Sequence, residues 1–246
     1  MEIKDCIAFV TGANGGIGSA LVSELLRRGV RRVYAASRSP RAETPGTAEA
    51  PGRLPLLLDV VDSSSVSSAA RLAHDVTLLF NNAGSMTRGS LLKTKLADVR
   101  GDMEANFFGT YQMVRAFAGV IERNGGGGIV NILSVSAWAS SPDAAGYSAS
   151  KAAAHSLTQS LRAELAPRGV AVLAAYPGPV NTPMTRDLEI PKADPNEVAR
   201  LIVDGVENDQ EDIVPDRMSR QAADAWRRDP KVLERQFASL YSAGTI

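Results

Sequence analysis

Short, strongly apolar runs alternate with helix-patterned segments along most of this chain, and that alternation leaves few architectures open. The runs are Cys6–Val10, Val33–Ala36, Leu54–Leu58, Val76–Phe80, Ile129–Leu133 and Ala171–Ala175, with a short seventh beginning at Ile213 and Val214. After the first run, Ile17, Leu21, Val22, Leu25 and Leu26 recur at helical spacing, and Gly29 is placed as a C-cap. Ser63–Ala73 opens on a serine cluster suited to capping; Leu96–Gly119, Ala145–Ala166 and Asp194–Asn208 also read as helices. Met218–Tyr241 reads as one charged helix or a pair, and residues 40–53 as an exposed loop rich in breakers. Strands this short and apolar are buried on both faces, and right-handed crossovers make them parallel. The expected fold is α/β: a single-domain, doubly wound, mostly seven-stranded parallel sheet flanked by helices, spanning residues 1–246.

Composition narrows the partners. Lys plus Arg and Asp plus Glu both number 27, so the formal charge is zero and gives nucleic-acid binding no support. The single cysteine, Cys6, cannot form an internal disulfide, and no metal-ligand spacing exists; Cys6 reads as a buried small hydrophobe. No apolar stretch approaches a membrane span, and MEIKD runs straight into the first strand, so a cytoplasmic protein is expected.

The loop TGANGGIG follows the first strand and opens the first helix, the context a dinucleotide requires. Gly12 permits a tight turn, Gly16 a close backbone approach to pyrophosphate, and Gly18 close packing of helix on sheet; Asn14 and Ile17 complete the cradle. The helix N-terminus then offers free N–H groups to phosphate. NAD sites usually place an acid at the end of the second strand, where this chain has Ser37 followed by Arg38. A hydroxyl and a guanidinium suit a 2′-phosphate, so NADP(H) is expected. The bland alternative has Arg38 facing solvent or stacking on adenine. Asp59 is placed to bond the adenine amino group, with Val60 beside it, or else to cap the next turn. Asn81, Ala83 and Gly84 end the fourth strand near the ribose and nicotinamide, and Asn82 reads as structural.

Tyr147 and Lys151 stand one helical turn apart in YSASK, and Ser134 ends the fifth strand. A phenol near pKa ~10 is a poor base at neutral pH, and an ammonium beside it favours the phenolate. Tyr147 would donate a proton during carbonyl reduction and remove one during alcohol oxidation. Lys151 would acidify Tyr147 and bond the nicotinamide ribose, and Ser134 would hold the substrate oxygen. Any one of these residues alone is ordinary; the conjunction with a nucleotide loop points to hydride transfer.

In order, TGANGGIG, Asp59-Val60, NNAG, Asn106, Ser134, Tyr147-Ser-Ala-Ser-Lys151 and PGPVNTPM resemble the short-chain dehydrogenase/reductase family, over at least residues 6–184. The resemblance implies a Rossmann fold and adds Asn106 as a fourth catalytic residue, set in a local distortion of the long fourth helix, where it holds a water of a proton relay. It implies that Pro177, Gly178, Val180 and Thr182 line the nicotinamide. The family spacing selects Ser134 over Ser136 for the principal role, leaving Ser136 to bond substrate or support the loop. Trp138 and residues Pro142 to Ala145 are placed near the substrate mouth, Trp138 as a substrate wall or as loop packing. Met184, with Leu188 and Ile190, is placed as substrate cover or as loop docking.

The chain departs from the family at its end, where EDIVPDRMSRQ replaces a glycine-rich run that builds the tetramer. The resemblance implies a homodimer through the 96–119 helix and the helix bearing Tyr147; the departure, from about residue 215 to 246, weakens a homotetramer and leaves a monomer open. It also weakens a reading as an acyl-carrier-protein ketoacyl reductase. The short segment after PGPVNTP suggests an open site for a small or extended carbonyl. The expected activity is an NADPH-dependent carbonyl reductase, reversible as an alcohol dehydrogenase, acting on a small-molecule ketone, aldehyde or secondary alcohol. The alternatives are an NADP-dependent hydroxysteroid, sugar or polyol dehydrogenase, and a non-catalytic nucleotide-binding redox sensor or scaffold.

Overall fold

The computed structural model of the protein describes residues 1–39 and 52–242. Most of the loop expected at 40–53 lies outside the described residues. Seven parallel strands run in the order β3-β2-β1-β4-β5-β6-β7: β1 (Ile7–Thr11), β2 (Arg32–Ser37), β3 (Arg53–Leu57), β4 (Leu78–Asn81), β5 (Gly127–Ile132), β6 (Val170–Ala175) and β7 (Asp212–Ile213). The strand order turns back on itself between β1 and β4, which pair through Ala8–Leu78 and Val10–Phe80. A doubly wound sheet opens a ligand cleft at such a point, beyond the C-terminal strand ends.

Every residue of β1 is buried, and its side chains divide by period two. Ala8 and Val10 face α1 (Gly16–Arg27) and α6 (Pro195–Glu207), joining Leu21, Leu25, Val198 and Ile202. Ile7 and Phe9 face the other layer, built by α2 (Ser63–Leu72), α4 (Gly109–Arg123) and α5 (Ala145–Leu165), where Val66, Met113, Phe117 and Leu161 meet them. Two apolar layers on one sheet are what the strand composition required.

Helix ends follow their capping chemistry. Gly29, at φ +83°, ends α1 as expected; its N–H reaches the Leu26 carbonyl and that of Val30 the Leu25 carbonyl. α2 is capped by Asp62, whose carboxylate accepts the Ser64 N–H at 2.8 Å, and not by the serines that follow. The tail is a pair of helices, α7 (Arg217–Arg228) and α8 (Pro230–Ser242). Cys6 stands before β1 and is half-buried, its thiol donating to the Glu2 carbonyl at 3.3 Å, so it is not the core residue expected. Among the described residues, no helix is long and apolar enough to cross a membrane.

The expected helix 96–119 is interrupted. α3 (Leu96–Met103) passes through a π-helical turn at Glu104–Phe108 into α4, which runs on to Arg123. Such one-residue bulges recur at functional sites. Here the bulge carries Asn106, where the family resemblance implied a distortion.

Candidate active site

One cleft of about 570 Å³ runs across the C-terminal ends of β1, β4, β5 and β6, a size in the range of small-molecule sites. Gly12, Gly16, Ile17 and Arg38 line one end; Ser134, Tyr147 and Lys151 line the middle; Met184, Leu188 and Ile190 cover the far side.

The glycine end is built by contacts a side chain would break. A Cβ on Gly18 would lie 2.2 Å from the Gly12 carbonyl oxygen, so α1 can approach β1 this closely only with glycine there. Gly16 takes φ +53°, and a Cβ there would meet Thr182 Cγ2 at 2.9 Å. The cleft is thus narrow at the helix N-terminus, and it leaves backbone N–H groups to a phosphate. Asn82 is structural, as expected: its Nδ2 donates to the Thr11 carbonyl at 2.9 Å, tying β4 to the glycine turn. Ser37 Oγ is buried at the end of β2 and has no hydrogen-bond partner among the described residues. An orphaned hydroxyl beside exposed Arg38 fits a group that brings its own acceptors, such as a ribose or its phosphate. The residues present therefore fit a dinucleotide.

Asn14, Gly18, Ser37, Asp59, Val60 and Asn81, expected at the cofactor, do not line this cleft. The Asn14 amide donates to the Ser39 carbonyl and pins the glycine loop to the end of β2. Asp59 caps the following turn, with Oδ1 accepting the Val61 N–H at 3.0 Å. Val60 is buried against Gly109, whose Cβ would meet its Cγ2 at 2.8 Å. The Asn81 side chain points within the sheet, its Nδ2 donating to Asn131 Oδ1 at 2.9 Å. Strand alternation explains Asn81: its neighbour Asn82 takes the opposite face. Ala83, Gly84, Pro177, Gly178, Val180 and Thr182 line the cleft as expected.

At the reaction end, α5 presents Tyr147 and Lys151 to the end of β5. The Ser134 hydroxyl lies close enough to the Tyr147 phenol to lower its pKa. Ser134 Oγ also accepts the Ser136 N–H at 3.1 Å, and Ser136 Oγ meets Ser141 Oγ at 3.0 Å, so Ser136 supports this loop while facing the cleft. Lys151 Nζ donates to the Ile132 carbonyl at 2.8 Å and stands 5.7 Å from the Tyr147 ring centre.

The electrostatics differ from the expectation. Burial pushes the Tyr147 phenol up to about 12; the Ser134 hydroxyl pulls it down and the Asp102 charge pushes it further up. Lys151 is not among the groups acidifying it. Burial pulls Lys151 itself down to about 8, opposed by Asp102. The ammonium spends its hydrogen bond on a backbone carbonyl, and desolvation weakens its hold on a proton, so this geometry favours a protonated phenol.

Asn106 is 1 % exposed and its side chain is fully engaged. Nδ2 donates to the Ser85 carbonyl and to Ser150 Oγ, both at 2.8 Å, and Oδ1 accepts the Ser85 N–H at 3.0 Å. Asn106 thus clamps the Gly84–Ser85 turn to α5 one residue before Lys151. A Cβ on Gly84 would lie 2.5 Å from Asn106 Oδ1, which explains glycine there.

Trp138 is not a substrate wall. Its ring is stacked between Tyr176, at 4.4 Å, and Trp226, at 5.5 Å, and does not line the cleft. Trp138→Ala is expected to destabilise the fold by about 3–5 kcal/mol, with substrate preference retained, read by urea unfolding.

Arg88, Met218 and Phe237 escaped the sequence reading. Arg88 and Asp143 face the cleft as an ion pair, with Arg88 Nε 2.9 Å from Asp143 Oδ2. Met218 and Phe237, from α7 and α8, also line it. None lies in a local motif; their signal is long-range pairing, which periodicity does not carry.

A family model described as short chain dehydrogenase matches residues 6–193. A short chain dehydrogenase from Burkholderia cenocepacia J2315, solved in complex with NADP, is 37 % identical with a TM-score of 0.88, covering 96 % of this chain and 99 % of that one. A short chain dehydrogenase/reductase from Burkholderia phymatum, solved with NAD, shares the fold at 22 % identity and a TM-score of 0.82, covering 96 % of each chain. A 3-oxoacyl-[acyl-carrier-protein] reductase of Synechocystis sp. is 32 % identical over 190 residues, 74 % of this chain and 77 % of that protein. The matched residues carry the glycine turn, the serine and the Tyr-Lys pair, and the chain belongs to the short-chain dehydrogenase family of oxidoreductases.

Proposed function

We propose that the protein is an NADP(H)-dependent carbonyl reductase, working in reverse as an alcohol dehydrogenase. The observation that carries this reading is the meeting of Tyr147, Ser134 and Lys151 in the same cleft as the glycine cradle. Gly12, Gly16, Ile17, Ala83, Gly84 and the 177–182 loop would hold the dinucleotide, with Ser37 and Arg38 at its adenosine end. A bound NADPH supplies the hydride in reduction. Ser134 holds the substrate oxygen by its hydroxyl, and Tyr147 donates its phenolic proton to that oxygen as negative charge develops there. Lys151 keeps positive charge nearby, and Asn106 keeps the Gly84–Ser85 turn and α5 in register. The apolar cover of Met184, Leu188 and Ile190 favours a carbonyl over a sugar or polyol. A panel of ketones, aldehydes, sugars, polyols and a 3-oxoacyl thioester, followed by nicotinamide absorbance, tests the reading; inertness towards every ketone and aldehyde would sink it.

The phenol's raised pKa sets a pH dependence. Tyr147 holds its proton through neutral pH, so the acid that reduction needs is present there. Oxidation needs the phenolate, whose fraction grows about tenfold per pH unit below the pKa. Reductive kcat/KM is therefore expected to stay flat through neutrality and fall as Lys151 loses its charge near about 8. Oxidative kcat/KM is expected to climb with pH. Oxidation that slows from neutral to alkaline pH would remove Tyr147 as the base.

The cofactor preference rests on Ser37 and Arg38. Arg38→Ala is expected to weaken NADPH binding by about 1.5–3 kcal/mol, the worth of a charged hydrogen bond, with NADH affinity little changed. Equal loss for both nucleotides, by titration calorimetry, would refute the 2′-phosphate assignment.

A further inference from the structure

The segment after Pro183 covers the cleft from one side. The Val180–Ala193 bridge pinches its base, and Met184, Leu188 and Ile190 hang over one side of the cleft. The opposite cover comes from the tail, through Met218 on α7 and Phe237 on α8.

Four contacts fix this tail to the reacting centre. The buried Asp216 carboxylate caps α7 at the Ser219 N–H, 2.8 Å, and with its other oxygen accepts the Gly178 N–H, also 2.8 Å, in the nicotinamide-side loop. Phe237 is 5 % exposed and packs with Val135, the residue after Ser134, and with Leu233 and Ala222. Trp226 stacks on Trp138, and α8 rests on Pro142–Ala144, just before the helix that carries Tyr147. A side chain held by this many partners is a fixed wall and not a mobile flap. Arg88 and Asp143 face the cleft as a mutually neutralising pair, and Met218 and Phe237 present thioether and hydrocarbon to its occupant.

We propose that α7 and α8 form the specificity wall of the substrate end, with Phe237 its principal determinant, and that the wall selects carbonyl compounds bearing a neutral apolar body. The assignment rests on the carbonyl reading above. Deleting the ring enlarges the space beside Ser134 and Tyr147, and enlarging the ring fills it, so size preference follows residue 237 in both directions.

The test uses the full chain with Phe237→Ala, Phe237→Leu and Phe237→Trp. Butanone, benzophenone and dihydroxyacetone are the probes, with dissociation constants from equilibrium dialysis and kcat/KM from turnover with NADPH. The wild type is expected to bind butanone more tightly than dihydroxyacetone. Phe237→Ala is expected to shift the benzophenone-to-butanone preference about tenfold towards the larger ketone, Phe237→Leu by less, and Phe237→Trp the other way, in line with what pocket volume changes do. Dihydroxyacetone binding more tightly than butanone overturns the apolar class. A shift common to both ketones, or none, in variants that melt cooperatively overturns the role of Phe237. If Phe237→Ala does not fold, the leucine and tryptophan variants decide the matter. A wild type that binds these ketones with the expected ratios yet transfers no hydride would defeat the reductase reading and leave the wall standing.

Discussion

Tyr147→Phe is expected to cut turnover by about a hundred- to ten-thousandfold, with NADPH affinity within about twofold of wild type. The phenyl ring keeps the volume and stacking edge that Tyr147 offers, so the cleft beside the glycine turn is unchanged. What disappears is the phenolic hydroxyl that would hand its proton to an oxygen held by Ser134. The loss corresponds to about 3–5 kcal/mol of barrier. Stopped-flow reduction of a reactive ketone, with nucleotide binding measured in parallel, checks it. Turnover reduced by less than about tenfold would mean that water or another side chain supplies the proton. Loss of NADPH binding in step with turnover would mean that the residue serves the cradle and not the chemistry.

Gly18→Ala is expected to be nearly as damaging, for a mechanical reason. Its added methyl would sit 2.2 Å from the Gly12 carbonyl oxygen and 2.5 Å from Asn82 Nδ2. The first of these is backbone that cannot swing aside. The second is the amide that ties β4 to the turn through the Thr11 carbonyl. Relief requires α1 to lift off the sheet, at a cost of about 1–3 kcal/mol or more. The melting temperature should fall and NADPH affinity drop at least about tenfold, because the helix N-terminus no longer meets the phosphates. Gly15→Ala is the internal control for stability: Gly15 is extended, at φ −170°, and nothing lies within 4 Å of its added Cβ. Its melting temperature should match wild type. Equal destabilisation by the two substitutions would refute the packing argument.

The order of elements was legible because each strand is a short apolar run and each crossover a helical pattern. The sheet's two-sided burial follows from the same residues, as Phe9 and Val10 show by facing opposite layers. The middle of the site was legible because Tyr147 and Lys151 share a helix face and Ser134 ends a strand. What was lost is whatever depends on direction within a turn. Asn81 and Asn82 are adjacent and both amides, yet one bonds inside the sheet and the other crosses to the glycine turn. Asp59 was open between a ligand and a cap, and its Oδ1 accepts the Val61 N–H of its own turn. Trp138 lies four residues past Ser134, but an aromatic partner 88 positions later draws it away from the cleft. The expected acidification of Tyr147 failed for another reason: one-turn spacing brings the ammonium near, but the Ile132 carbonyl decides what it bonds.

The widened turn at Glu104–Phe108 acts as a phase shifter between α3 and α4. An α-helix advances about 100° per residue, so one surplus residue turns everything upstream by that angle relative to everything downstream. Downstream, Met113 and Phe117 are in phase with the sheet. Upstream, the shifted phase brings Asp102 onto Ser85 Oγ, at 2.9 Å, and the Thr87 N–H. Removing one residue from this stretch would restore a regular helix and put the two halves out of step. Either the core would lose its seam or the carboxylate that raises both Tyr147 and Lys151 would swing away. A deletion here is a proton-affinity mutation made without touching a titratable group.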